Sequence, residues 1–294
     1  MKQRIITGAV LAAAMIFVFA LSGTWVYAAF ATLLSLIGVW EMLGCVGERK
    51  NLVLSVPALA VSVAAPLLMY FFRYGVITTL TVLFLFFMLF VSVFTGERVK
   101  TQSVCVVFTT TVYVFTCFSA LLKLRYITLD NGENVGKYVF VLVFIAAWIT
   151  DTFAYFTGVF FGKHKLIPKV SPKKTVEGSV GGMIFCVIAF EIYGIILSKI
   201  TGFIPNYLGL AVVGLLLSVV SQLGDLLASA IKRSYGVKDY GVIFPGHGGV
   251  LDRFDSVMAV APLLLMLTED SRFLYVLFGL VGFGRLLLIF AKKR

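Results

Sequence analysis

The stretch Asn206–Lys232, NYLGLAVVGLLLSVVSQLGDLLASAIK, decides the fold. Its first half is almost wholly apolar, and the whole is long enough to cross a hydrocarbon core as a helix, for which about 20 residues suffice. In its second half Ser221, Asp225, Ser229 and Lys232 recur at helical spacing, so one stripe of the helix is polar. An Asp at the centre of a membrane helix costs about 2.5–3.5 kcal/mol on insertion scales and faces protein or water rather than lipid. At about 1.5 Å of rise per residue, Asp225 lies about 10 Å deeper than Lys232. The stripe reads as the wall of a cavity open at one membrane surface. An ion pair from Asp225 to Lys232 or Arg233 that only orients helices is the plainer alternative.

The rest of the chain agrees. Of 294 residues, 60% are hydrophobic and 13% charged, and the mean hydropathy is +1.02, which excludes a soluble globular domain. Apolar segments at 5–22, 24–45, 52–72, 74–95, 102–123, 137–161, 178–201, 206–232, 252–269 and 272–291 are candidate spans. Only TEDSR separates the last two, and 252–269 opens with charges, so the count is nine or ten. The expected fold is an all-α integral membrane protein, a polytopic bundle of about nine to ten transmembrane helices with a cytosol-facing polar cavity. Residues 1–135 supply N-terminal helices for scaffold, lipid groove or dimer contacts. Residues 136–294 form the catalytic region, with polar loops at 162–177 and 233–253.

With the N-terminus inside, 18 of the 25 Lys and Arg residues fall on the inner side, including both polar loops; the positive-inside rule therefore places these loops in the cytosol. Residues 1–23 resemble a signal peptide, but a second span follows at once, which favours an uncleaved first helix. Cys45, Cys105, Cys117 and Cys186 sit singly in or near apolar segments and read as packing residues, with no disulfide or thiolate metal site. The net charge of +11 is largely topology and attraction to anionic lipid rather than to nucleic acid. Five lysines between Lys163 and Lys174, with no acid before Glu177, point to a polyanionic cytosolic partner.

The chemistry concentrates in SAIKRSYGVKDYGVIFPGHGGVLDRFDS, Ser229–Ser256. Asp252 and Asp255 are three apart at the start of a helix, which puts both carboxylates on one face. With Asp225 they supply the oxygen ligands a hard divalent cation such as Mg²⁺ takes, whereas helix capping explains one or two of these acids but not Asp225. PGHGG, Pro245–Gly249, is a loop whose Gly248 and Gly249 permit close backbone approach to phosphate, and His247 within it suits phosphate contact or proton transfer. Read alone, it is a turn. With His164 as the second histidine, a multi-His zinc site is excluded. Lys173, Lys174 and Thr175 precede a helix with glycines in its first turn, an arrangement suited to an anion. GVFFGKH, Gly158–His164, lacks the spacing and hydroxyl of a P-loop; Gly158/Gly162 and Gly178/Gly182 read as helix–helix contacts. Asp151, in WITDTFAY, lies about 16 Å into the membrane on a second polar face that can approach the same cavity. Glu41 and Glu191 lack clustered partners in sequence and read as helix-pairing groups.

Ser229–Asp255 resembles the signature of phosphatidate cytidylyltransferases, also called CDP-diacylglycerol synthases. WITDTFAYFTGVFFGKHKL and SPKKTVEGSVGG are similar to the same family, so the likeness covers roughly 145–256. Val176, where many members carry an aromatic, departs from the pattern without touching a candidate catalytic group. The resemblance implies transfer of a cytidylyl group from CTP to phosphatidic acid, releasing CDP-diacylglycerol and pyrophosphate. It also implies Mg²⁺, with a second cation possible, a homodimer, and a place in the cell's inner (cytoplasmic) membrane.

On that reading Asp225, Asp252 and Asp255 hold metal. Lys173, Lys174, Lys232, Arg233, Lys238 and Arg253 meet phosphate, and His247 meets the leaving pyrophosphate. Ser229, Asp239, Asp151, Gly248 and Gly249 complete the candidate substrate contacts. Another CTP-dependent lipid-phosphate enzyme is the near alternative. A secondary transporter of an anionic metabolite is the distant one; it requires inverted repeats, and none is evident.

Overall fold

The computed structural model describes residues 13–72, 75–129, 132–202, 205–244, 246 and 248–268, without the Glu97 side chain. Helix α1 covers 13–20. It is followed by α2 (Trp25–Cys45), α3 (Leu52–Phe72), α4 (Val76–Thr95) and, after a 3₁₀ turn at Gly96–Arg98, α5 (Thr101–Arg125). Helices α6 (Gly136–Phe144) and α7 (Thr150–Phe161) are joined through a π turn at Ile145–Ile149. Strands β1 (Lys165–Ile167) and β2 (Ser171–Thr175) then lead to α8 (Val176–Thr201), α9 (Tyr207–Ser234) and α10 (Leu251–Thr268).

Seven helices among the described residues are long and apolar enough to cross a membrane: α2, α3, α4, α5, the continuous α6–α7, α8 and α9. They match seven of the ten expected spans. Candidate 5–22 lies partly, and 272–291 wholly, outside the described residues. The segment expected to span at 252–269 is α10, which is not among these seven. Its first five residues carry Asp252, Arg253 and Asp255, and Phe254, Val257, Met258, Ala261, Leu264 and Leu265 are buried against its neighbours. The bundle is all-α as expected, and the loop at 162–177 carries a short hairpin in which β1 and β2 pair antiparallel with Lys165 opposite Thr175 and Ile167 opposite Ser171.

Helices α2, α5 and α10 make the centre of one half, around Tyr27, Phe115, Phe118 and Leu121, all buried. Peripheral α4 presents Phe86, Phe90 and Phe94 outward, as an apolar surface bathed in lipid does. In the other half α7 and α8 approach closely because the expected small residues meet. A Cβ on Gly178 would lie 3.1 Å from the Gly158 Cα, and one on Gly182 would lie 2.8 Å from the Thr150 carbonyl oxygen.

The two ends of the bundle sort the loops. At one end Arg125 Nε donates to Ser22 Oγ at 2.9 Å, Tyr126 OH donates to the Thr24 carbonyl at 3.2 Å, and Tyr193 OH donates to the Tyr138 carbonyl at 2.9 Å. The opposite end gathers the close of α2, the hairpin, the end of α9 and the start of α10. Contacts at this end run from Glu41 to Val250, from Lys174 to Asp225 and from Lys232 to Asp252. The loops that charge counting assigns to one membrane face therefore do share one face. Cys45, Cys117 and Cys186 are buried free thiols, as packing residues are, whereas Cys105 is exposed on α5 and does not pack as expected.

Candidate functional site: an acid-floored cavity with a basic rim

At the second end a cavity of about 660 Å³ opens between α7, the hairpin, α8, α9 and the start of α10. The polar stripe of α9 supplies Asp225 and Lys232, and α10 supplies Asp252, Arg253 and Asp255. Asp151 enters from α7, immediately after the π turn, whose extra residue per turn re-aims the helix there. From the hairpin come Lys165, Lys173, Lys174 and Thr175. Tyr155, Val159 and Leu166 line an apolar flank, and Tyr155 and Val159 are exposed on the surface of α7.

Asp252 forms the rim. Its Oδ1 lies 2.6 Å from Lys232 Nζ, and its Oδ2 accepts from Tyr240 N at 2.8 Å and Gly249 N at 2.9 Å. Lys232 is itself buried and lies 5.1 Å from the centre of the Tyr240 ring. The Tyr240 hydroxyl donates to the Ala228 carbonyl at 2.9 Å. Burial pushes the phenol pKa up, so Tyr240 remains a donor at neutral pH. These contacts tie the glycine loop to the end of α9, and at Gly248 a φ of +81° makes the turn that a side chain would strain.

Asp151, Asp225 and Asp255 form the floor. Asp225 Oδ2 lies 2.5 Å from Lys174 Nζ in an ion pair without hydrogen-bond alignment, and its Oδ1 accepts a long 3.3 Å contact from Ser229. Asp151 Oδ2 accepts from Ser256 Oγ at 2.8 Å, and Asp255 Oδ1 accepts from Ser256 N at 2.8 Å. Asp151 and Asp225 both repel Asp255 electrostatically. The oxygens of these crowded carboxylates, opposite one lysine, are the donor type that a hard divalent cation takes. No group of three or more His, Cys, Asp or Glu side chains among the described residues forms a ready-made metal cage. An ion such as Mg²⁺ takes one or two carboxylates and completes its shell with water and phosphate, so it would not need such a group.

Of the residues expected from sequence, Asp225, Asp252, Asp255, Lys232, Lys173, Lys174, Asp239, Arg253 and Asp151 all line this cavity. Asp225 pairs with Lys174 and Lys232 with Asp252, so the ion pair along α9 considered above does not form. Ser229 stands behind Asp225. Arg233 is turned to the Val237 carbonyl at 3.0 Å, and Gly249 is used in holding Asp252. Lys238 and Gly248 are not among the lining residues. His247 and Pro245 lie outside the described residues. Sequence reasoning missed Lys165, and also the Ser179–Gln222 pair, where Ser179 Oγ donates to Gln222 Oε1 at 2.5 Å. Gln222 adjoins the polar stripe of α9, a signal that was present and went unused.

Residues 2–269 match the cytidylyltransferase family. The chain belongs to that family. It is 43% identical over 159 residues to phosphatidate cytidylyltransferase of Bacillus subtilis, an alignment covering 53% of this chain and 55% of that protein. The proteins of the same name from Staphylococcus haemolyticus and Staphylococcus aureus are 47% identical over 142 and 139 residues, covering 48% and 47% of this chain and 52% of each relative. The chain thus spans about half the length of the curated relatives it matches.

Proposed function

We propose that this protein transfers the cytidylyl group of CTP to phosphatidic acid, forming CDP-diacylglycerol and pyrophosphate at the inner face of the cytoplasmic membrane. The observation that carries the reading is the cavity itself. One wall is lysine-rich, the floor is acidic, and Tyr155, Val159 and Leu166 form an apolar flank, an arrangement suited to a dissolved polyanion and a lipid phosphate sharing one space. The relatives' name supports the same pair of substrates.

In this reaction a phosphatidate oxygen attacks the α-phosphorus of CTP in line. A new phosphorus–oxygen bond forms, the bond to the β,γ-diphosphate breaks, and pyrophosphate leaves with the electron pair. The attacking group is already an anion, so no strong base is required; what the protein contributes is alignment and neutralised charge. Lys173, Lys174, Lys165 and Arg253 surround the phosphates, and Lys174 leaves Asp225 to meet them. Asp151, Asp225 and Asp255 would supply carboxylate oxygens to Mg²⁺, while Asp252 fixes the loop beside them. When bound, Mg²⁺ neutralises phosphate oxygens and polarises the α-phosphorus. His247 and Lys238 act at the pyrophosphate side, and the assembled enzyme is a homodimer.

The test is direct. Purified protein in phosphatidate-containing mixed micelles, supplied with CTP and Mg²⁺, is expected to release pyrophosphate and CDP-lipid in equal amounts, and chelation is expected to stop both. Folded protein that makes neither product overturns the reading.

A further inference from the structure

Glu41 is one of the most buried charged groups among the described residues, at 2% exposure, and nothing in the reaction above uses it. It stands in the last two turns of α2, in the N-terminal half. Its two oxygens accept Val250 N and Leu251 N, each at 2.9 Å, across 209 and 210 residues of chain. These N–H groups open α10. The residue at the cap position, Val250, has no side-chain oxygen, so the capping that Ser, Asp or Asn gives locally is supplied here from another helix. The positive end of the α10 dipole is a favourable partner for a buried carboxylate.

The packing around this contact is equally specific. Gly241 and Gly249 press so closely on the Glu41 carboxylate that a Cβ on either would collide with it. One turn earlier on α2, Gly38 leaves room for the Leu251 side chain, 3.0 Å from where a Cβ would stand. Thus α2 receives both the backbone and the first side chain of α10. The first five residues of α10 carry Asp252, Arg253 and Asp255, which form part of the cavity's rim and floor.

We infer that Glu41 is a positioning residue that sets the glycine loop and the first turn of α10 against α9, and so determines how tightly the nucleotide end of the cavity closes on its ligand. The inference rests on the cytidylyl-transfer reading for its kinetic consequence but not for its structural one. It gives the N-terminal half a role in the site beyond scaffolding: residues 1–135 hold the loop that the C-terminal half presents.

The experiment uses the full chain in lipid micelles. Glu41→Gln keeps the volume and one acceptor but turns an amide donor toward an N–H; Glu41→Asp keeps the charge on a shorter stem. Glu191→Gln, on α8 away from the site, is the control. Hydrogen exchange is expected to rise at least about tenfold in peptides covering 246–256 of E41Q, with α7 and α8 unchanged, and by less in E41D. The KM for CTP is expected to rise about tenfold, which corresponds to about 1.4 kcal/mol, while kcat and half-saturation by phosphatidate stay within about threefold.

Exchange that rises throughout the bundle, or a lower melting temperature with an unchanged KM for CTP, would reduce Glu41 to general support and overturn the inference. Unchanged exchange in 246–256 would overturn it as well. If wild type makes no CDP-lipid while E41Q loosens 246–256 alone, the substrate reading fails and the positioning role stands.

Discussion

Asp252 and Asp255 stand one helical turn apart at the start of α10 and face the same cavity, yet they belong to regions built in opposite ways. At the rim, Asp252 meets a buried ammonium and two backbone N–H groups. On the floor, Asp255 shares its space with Asp151 and Asp225, so like charges crowd where the rim pairs opposite ones. A wired carboxylate fixes the shape of a loop and has little capacity left for a ligand. A crowded one is costly to the folded protein and gains most from a cation. Of the three acids expected to bind metal, Asp252 is wired into the loop, while Asp225 and Asp255 stand with Asp151 in the crowded floor.

The largest effect that can break this division falls on the floor. Asp255→Asn is expected to lower turnover by about a thousandfold or more, as loss of a metal-clamping group does, while leaving the melting temperature in the absence of metal unchanged or higher because one repelling charge is gone. Turnover and thermal unfolding measured on the same preparation check it. A variant that is both inactive and strongly destabilised would mean that Asp255 is wired after all.

The rim should respond in the other order. Asp252→Asn leaves Lys232 buried without its counter-ion, which typically costs about 3–5 kcal/mol of stability. Its residual activity per folded molecule is expected to exceed that of D255N by about tenfold or more. Replacing both partners, as in K232M with D252L, should recover much of the stability, because removing a buried pair is often close to neutral. A calorimetric or thermal-shift comparison of single and double variants decides this. Equal instability in both would show that Tyr240 and Gly249, rather than Lys232, are the partners that matter.

A third measurement concerns the cation alone. Mg²⁺ added to the nucleotide-free protein is expected to raise the melting temperature of wild type and of D252N, and to have little effect on D255N or on Asp225→Asn. A rise that survives in D255N would move the cation from floor to rim.

These assignments show what can be read from a sequence and what cannot. Asp225 was legible because one helix carries its whole context: a polar stripe in an apolar segment has few explanations in lipid. The close pair α7–α8 was legible for the same local reason, through Gly158, Gly178 and Gly182. Partners brought together by the fold were not. Lys174 and Asp225 are 51 positions apart, and only the hairpin brings their side chains together. The hairpin went unseen because SPKKT has no alternation to announce a strand, and its pairing with KLI follows from where α7 ends and α8 begins. Glu41 looked isolated because its partners are backbone groups of a distant helix, which carry no sequence signal. The metal reading of Asp252 followed from its i, i+3 relation to Asp255, which shows that both point the same way and not what each one meets.

The smallest effect belongs to the outer edge of the basic wall. Glu177 accepts from Lys163 N at 3.0 Å and His164 N at 3.2 Å, and lies 2.6 Å from His164 Nδ1, which ties the base of the hairpin to the start of α8. His164 is largely in water, so the contact is screened and contributes little beyond order. Glu177→Gln is therefore expected to change the KM for CTP by less than about threefold and to leave kcat unchanged, even though the same hairpin carries Lys165, Lys173 and Lys174. Steady-state kinetics at two salt concentrations check it. A loss as large as that of D252N, persisting in high salt, would mean that the hairpin and not the α10 rim fixes the geometry of the nucleotide end. The division between a wired rim and a basic wall held mainly by screened contacts would then have to be reversed.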